Sequence, residues 1–254
     1  VSHTLLHQVL VSSLVVPVGL AQRPGHDHLT AFGTRLADDT WLRPDLMVYR
    51  KDQAEGDLWY IRGAPLLAVE VVSPSSREAD LRAKRALYAR HGVPSYWVVD
   101  VHGDRKPAIL VHELGEDGRY GAEERVPWGR SHRLSRPFGI ELAPEELFDR
   151  LPGRAAAPRR NPVISYPAAP RVGSDLPHHE DLFDLDVFGH RWPTGAEKVE
   201  LWDGCPVFYG RWDERDVRIA ERAYPGRVVR LDQPPGEPGT MTIMPAPAEG
   251  AAVT

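Results

Sequence analysis

One carboxylate sits where an apolar strand leaves little room for charge. Residues 66–72 read LLAVEVV, a near-continuous hydrophobic run with Glu70 inside it. Such a run is the pattern of a strand buried on both faces. A carboxylate in that position is costly to desolvate unless a cation or a hydrogen-bonding partner meets it. Two readings follow: Glu70 pairs with an Arg or Lys of a flanking helix, or it helps to hold a metal ion. Either way the chain must fold so that positive charge reaches the middle of a sheet.

The surrounding pattern is α/β. Residues 4–14 have helical apolar spacing at Leu6, Val9, Leu10 and Leu14. Residues 29–36 read as one strand, an Asp38-Asp39 turn follows, and residues 43–50 hold a second strand, LMVY, just after Pro44-Asp45. After Glu70, the Ser73–Ser76 stretch breaks the strand and supplies capping hydroxyls. A helix over 77–90 ends at Gly92, and residues 95–101 (SYWVVDV) form another buried strand. Residues 108–114 and 120–126 read as an antiparallel pair, and 144–151 as a short closing helix. The order predicts a mixed β-sheet flanked by helices.

Prolines mark the organisation. Residues 1–151 form the predicted core. Residues 152–177 (PGRAAAPRRNPVISYPAAPRVGSDLP) lack periodicity and read as a linker or strap. Residues 178–231 form a small C-terminal β-hairpin and helix unit, with Asp203-Gly204 as its hairpin turn, a helix over 213–224 and a strand over 227–231. Residues 232–254, rich in Pro, Gly and Ala, are expected to be a disordered tail.

Bulk properties exclude several classes. No apolar run reaches the roughly 18 to 20 residues of a spanning helix. The stretch at 5–20 is interrupted by Pro17 and lacks a basic leader, so neither a membrane span nor a signal peptide is expected. The chain starts at Val1, which fits a processed or trimmed start. Cys205 is the single cysteine and cannot close an internal disulfide, so a cytoplasmic protein is expected. The net charge of −5 disfavours a coating nucleic-acid binder, whose positive charge would be broad. An enzyme that recruits a metal stays open.

Asp45 is the second candidate. Taken alone it is an ordinary turn aspartate after Pro44. Taken with Glu70 it places a second carboxylate at the start of a strand in what would be the same sheet, and two such groups suit Mg²⁺ or Mn²⁺. Asp80, Lys84 and Tyr88 are spaced four apart and share one helix face. Their bland reading is an exposed i,i+4 salt bridge. Their functional reading brings Lys84 over the sheet edge toward the metal, to orient or deprotonate the attacking water and offset phosphate charge. His178, His179, Glu180 and Asp181 form a dense polar cluster, read as a solvated linker end because the spacing matches no strong ligand motif.

The run RPDLMVYR followed by GAPLLAVEVVSPSSREADLRAKRALYARHGVPSYWVVD resembles the Uma-two family of restriction endonucleases, part of the PD-(D/E)xK nuclease superfamily. The resemblance is carried by Pro44-Asp45, Glu70 with Ser73-Pro74-Ser75, Asp80, Lys84, Tyr88, Gly92-Val93-Pro94, Tyr96-Trp97 and Asp100, and spans about residues 2–151. It implies a restriction-endonuclease-like core with Asp45 and Glu70 as ligands to Mg²⁺ (or Mn²⁺), the backbone carbonyl of Val71 as a further ligand, and Asp80 and Tyr88 in support. The superfamily lysine normally stands two residues after the Glu, where this chain has Val72, so the role passes to Lys84. The implied activity is endonucleolytic hydrolysis of phosphodiester bonds in DNA, with a 3′-hydroxyl leaving group and a homodimer as an implied state. VELWDG at 199–204 resembles the family's opening hairpin, displaced here behind the linker; it would complete the core from behind, which is the favoured reading, complete a neighbouring chain by swapping, or stand as an unrelated small appendage. The alternatives are a catalytically silent nucleic-acid-binding or protein-interaction module on the same fold, and a metal enzyme with a non-nucleic substrate. All the enzymatic readings require the two carboxylates to meet in a pocket open to solvent.

Overall fold

The computed structural model describes residues 4–56, 58–73, 76–101, 108–126, 131–148, 178–188 and 196–247. Helix α1 (Leu5–Ala21) begins at Thr4, whose hydroxyl accepts the His7 N–H at 3.2 Å. It is followed by β1 (His26–Thr30), β2 (Gly33–Ala37), β3 (Thr40–Leu42), β4 (Leu46–Arg50), β5 (Tyr60–Arg62) and β6 (Leu67–Val71). A π-type turn at Ala79–Ala83 leads into α2 (Lys84–Arg90). Then come β7 (Ser95–Asp100), β8 (Ala108–Glu113), β9 (Glu124–Arg125), β10 (His132–Leu134), β11 (Ile140–Leu142), α3 (Pro144–Phe148) and α4 (Leu185–Phe188). The chain closes with β12 (Lys198–Trp202), β13 (Cys205–Gly210), α5 (Glu214–Ala223), β14 (Val228–Asp232) and β15 (Gly239–Met244).

Among the described residues the strands form a six-stranded sheet ordered β1-β4-β6-β7-β8-β9, a two-stranded ribbon β10-β11, and a seven-stranded sheet ordered β14-β15-β13-β12-β3-β2-β5. The first sheet is mixed: β6 and β7 run parallel, joined through α2, while β4 pairs antiparallel to β6. The α/β expectation, a mixed sheet flanked by helices, is met.

The alternation of side chains along β6 sets up everything that follows. Leu67, Val69 and Val71 join Leu10 and Leu14 of α1 in one core. Ala68 and Val72 lie in the opposite core with Leu87 and Tyr88 of α2, so Glu70, in phase with them, faces α2. The second sheet closes over that side: Val207 and Tyr209 of β13 pack with Ala79. Its other face forms a separate core of Trp41, Leu201, Phe208, Met241 and Ile243.

Two expectations are corrected. The single strand over 29–36 is two strands in different sheets, because the chain turns at Ala31, where φ is +49°. The expected tail from Asp232 is not a tail over Gly239–Met244: this segment is β15, paired on one side with β13 and on the other with β14. Alternation of Met241 and Ile243 with threonines, masked by the Pro-rich flanks, is the signal that marks it as a strand. The C-terminal hairpin β12-β13 adds to a sheet of the same chain, with Leu201 of β12 paired to Trp41 of β3. The turn that closes this hairpin has Asp203 and Gly204 both at positive φ, 46° and 72°, the geometry that suits a two-residue connection. The predicted linker at 152–177 lies outside the described residues. Among those described, no helix is long and apolar enough to cross a membrane.

Candidate active site

Asp45 and Glu70 take opposed backbone positions where β4 and β6 pair. The β4–β6 register pairs Leu46 with Val69, and one step further along it Asp45 stands opposite Glu70. The Asp45 backbone extends the ladder, donating its N–H to Val69 O at 3.0 Å and accepting from Ala31 N at 3.0 Å. Past that point β4 offers Val71 no backbone partner, and the Asp45 side chain substitutes: Val71 N donates to Asp45 Oδ2 at 2.8 Å. A residue's N–H and C=O leave a strand on the same side, so the Val71 carbonyl faces this flank too. His7 Nε2, from the first turn of α1, stands 3.1 Å from the same Oδ2.

Asp45 is 6% exposed and borders a cleft of about 260 Å³ whose walls include His7, Gln8, Ser12, Thr30 and Ala31. Glu70 lies deeper, at 1% exposure. The walls of the cleft include Asp45 and not Glu70, so the expected solvent-open pocket is reached by Asp45 alone of the two carboxylates.

Behind them is a buried charge network. Lys84 Nζ is 2.9 Å from Glu70 Oε1, 2.8 Å from Asp80 Oδ1 and 3.4 Å from Glu200 Oε1. Lys198 Nζ is 3.0 Å from Glu70 Oε2 and 3.2 Å from Glu200 Oε1. Tyr88 donates its hydroxyl to Glu70 Oε1 at 3.1 Å. Glu200 also accepts from Arg43 N at 3.0 Å, Trp202 Nε1 at 3.1 Å and Tyr209 OH at 2.6 Å. The helix therefore presents Asp80, Lys84 and Tyr88 inward: the exposed salt bridge of the bland reading is a buried one.

The electrostatics follow from the count of charges. Three carboxylates, Glu70, Asp80 and Glu200, share two ammonium groups. Burial pushes the Glu70 carboxyl up to about 7, against the pull of Lys198 and Lys84. Burial also raises Asp80, with Lys84 and then Lys198 opposing it. Glu200 goes the other way, to about 2: burial acts to raise it, but Lys198, Lys84, the Tyr209 hydroxyl and the Arg43 N–H together outweigh burial. For Asp45, too, burial acts upward and is overcome, by Lys198, His7 and the Val71 N–H, so its carboxyl is held well below the usual range. Lys84 is raised well above an ordinary lysine; desolvation opposes this, and Asp80, Glu200 and Glu70 prevail.

Lys84 is 0% exposed and contacts Glu70 from the α2 side. Position 72 holds Val72, which packs in one core with Leu42, Ala68 and Tyr96.

Three site residues escaped sequence reasoning. Lys198 and Glu200 alternate in KVELW and look like the solvated face of a hairpin strand; the signal against that reading is that Trp202 and Tyr209, on the same face, are large aromatics. His7 was hidden by the apolar residues around it on α1. The polar cluster at 178–181 shows no such convergence: His178 and Glu180 are 3.8 Å apart and largely exposed.

Do these residues suit a divalent cation? Among the described residues no group of three or more His, Cys, Asp and Glu side chains is poised as a ligand set. The donor chemistry nevertheless fits: two carboxylates from opposed strand positions and a backbone carbonyl are hard oxygens, and three carboxylates of the network share two lysines. The fit has one condition. The Lys198 ammonium now stands on Glu70 Oε2.

No match is found among curated proteins. Among solved structures, one described as a "putative nuclease belonging to DUF820" from Anabaena variabilis ATCC 29413 aligns with a TM-score of 0.47 at 15% identity, covering 59% of this chain and 83% of that one. The family Uma2, described as "Putative restriction endonuclease", matches residues 2–145, more than half of the chain. The chain belongs to the Uma2 family.

Proposed function

We propose that the protein is a Mg²⁺- or Mn²⁺-dependent endonuclease that hydrolyses phosphodiester bonds in DNA. The observation that carries this reading is the opposition of Asp45 and Glu70 across the ends of β4 and β6, with Lys84 fixed on Glu70, in a chain of this family. Asp45, Glu70 and the Val71 carbonyl would hold the metal. When bound, it supplies an activated water and offsets the charge that builds on the phosphate. His7 and the Val71 N–H orient the Asp45 carboxylate. Lys84, Tyr88 and Asp80 orient Glu70, the first two by contacting it and Asp80 by anchoring Lys84. The cleft beside Asp45 is the route by which water and a phosphate reach the pair. With an overall charge of −5, attraction for DNA rests on the metal and local cations. A homodimer would cut both strands, and the single cysteine suits the cytoplasm.

The test is cleavage of plasmid, single-stranded DNA and RNA with Mg²⁺ or Mn²⁺, with Asp45→Ala and Glu70→Ala as controls. Metal-dependent cleavage that both substitutions reduce at least about 100-fold supports the proposal. Cleavage that survives Glu70→Ala removes it. A second reading, a silent nucleic-acid-binding or protein-interaction module, has one observation in its favour: both Glu70 oxygens are already held by lysines. It predicts nucleic-acid or protein binding without cleavage and without metal uptake.

A further inference from the structure

The family match ends at residue 145, but the charge network does not: its second ammonium belongs to Lys198 of β12. Lys84 and Lys198 differ in how firmly they are held. Lys84 contacts three carboxylates and is 0% exposed, while Lys198 contacts two and is 9% exposed. Lys198 stands on the Glu70 oxygen that Lys84 leaves uncovered, and it is the strongest of the influences that keep Asp45 ionised. Its other partner, Glu200, is anchored independently by the Arg43 N–H, Trp202 Nε1 and Tyr209 OH. Glu200 thus remains in place as a counter-ion if Lys198 leaves Glu70. An ammonium and a divalent cation on the same carboxylate oxygen repel strongly in a low-dielectric interior.

We infer that Lys198 is a positioning residue that occupies Glu70 Oε2 in the metal-free chain and yields it to the incoming divalent cation, withdrawing onto Glu200. A hairpin from beyond the matched region would then set how tightly the family's site takes its metal. This inference rests on the metal-dependent reading above.

Calorimetric titration of Mn²⁺ into the metal-stripped full chain at pH 8 tests it, comparing wild type with Lys198→Met, Lys198→Arg and Glu70→Gln. The expected result is one site lost in Glu70→Gln, bound at least about tenfold more tightly by Lys198→Met, and within about threefold of wild type in Lys198→Arg. Equal or weaker binding by a folded Lys198→Met overturns the inference and leaves the metal reading standing. No binding by the wild type removes both. If Lys198→Met does not fold, amine labelling of the wild-type chain followed by peptide mass spectrometry decides. Labelling of Lys198 that rises several-fold with Mn²⁺, with Lys84 still protected, supports the exchange; unchanged Lys198 labelling overturns it.

Discussion

Lys84 Nζ lies 2.9 Å from Glu70 Oε1, with neither residue more than 1% exposed. Helix α2 and strand β6 are therefore joined by a charge contact inside the molecule. Removing one partner of such a pair leaves the other buried and unbalanced. Lys84→Met should destabilise the fold by about 3 to 5 kcal/mol, the range for breaking a buried ion pair. Chemical denaturation of wild type and variant measures it; a loss below about 1 kcal/mol would show that the network relaxes or takes in water.

The same network predicts a pH dependence with an unusual sign. Glu70 moves from an ordinary 4.5 to about 7 on folding. Between those values the folded chain keeps a proton that the unfolded chain has released, so this group's contribution to stability falls as pH rises and stays low above 7. Glu200 is opposite: its folded value of about 2 lies below 4.5, so its contribution is present above 4.5 and is lost as pH falls toward 2. Glu70→Gln should remove a decline of about 1 to 3 kcal/mol between pH 5 and 8. Thermal unfolding across that range checks it, and an identical slope in both proteins refutes it. Mn²⁺ should stabilise the wild type increasingly over the same window, because it favours the ionised carboxylate.

Gly33 is tied to Trp41 by close approach. A Cβ at Gly33 would sit 2.3 Å from Trp41 Nε1, and Trp41 is buried in the core of the second sheet. Gly33→Ala should therefore cost about 1 to 3 kcal/mol through overpacking. Gly19, in α1, is the contrast: a Cβ there meets the His28 ring at ordinary contact distance, 3.4 Å from Cε1 and 4.0 Å from Nε2. Gly19→Ala should be neutral or stabilise by up to about 1 kcal/mol. Equilibrium unfolding of the two variants should separate them in opposite directions.

Strand β15 lies between β13 and β14 and buries Met241 and Ile243. A chain ending at residue 238 would expose the β13 edge and open the core that backs β12. It should lose cooperative unfolding and metal binding together, since β12 carries Lys198 and Glu200. A chain ending at residue 247 retains β15 and should keep both. Circular dichroism with thermal melts distinguishes the outcomes, and a cooperative melt in the shorter chain would contradict the assignment of β15 as a central strand.

How much of this was legible beforehand depends on the range of the forces involved. Glu70 was conspicuous because local burial and charge conflict within one strand. Asp80, Lys84 and Tyr88 were legible because helical periodicity is local; that they face inward was not, because nothing local tells a buried polar face from a solvated one. Val71 entered only through the family resemblance: that its N–H meets the Asp45 carboxylate comes from where β4 stops pairing. The split at Ala31 was invisible because a non-glycine residue at positive φ leaves no compositional mark.

The sequence alone determined the alternation that puts Glu70 on one face of β6, the helix that follows it, and the family to which residues 2–145 belong. These are consequences of periodicities of two and 3.6, which operate between near neighbours. Only the tertiary structure decided that Lys198 and Glu200 come back across more than a hundred residues to meet Glu70 and Lys84, and that the supposed tail supplies a central strand. The physical reason is that a surplus of buried charge is balanced by whichever chain segment the sheet brings beside it, and strand order is a property of the whole fold.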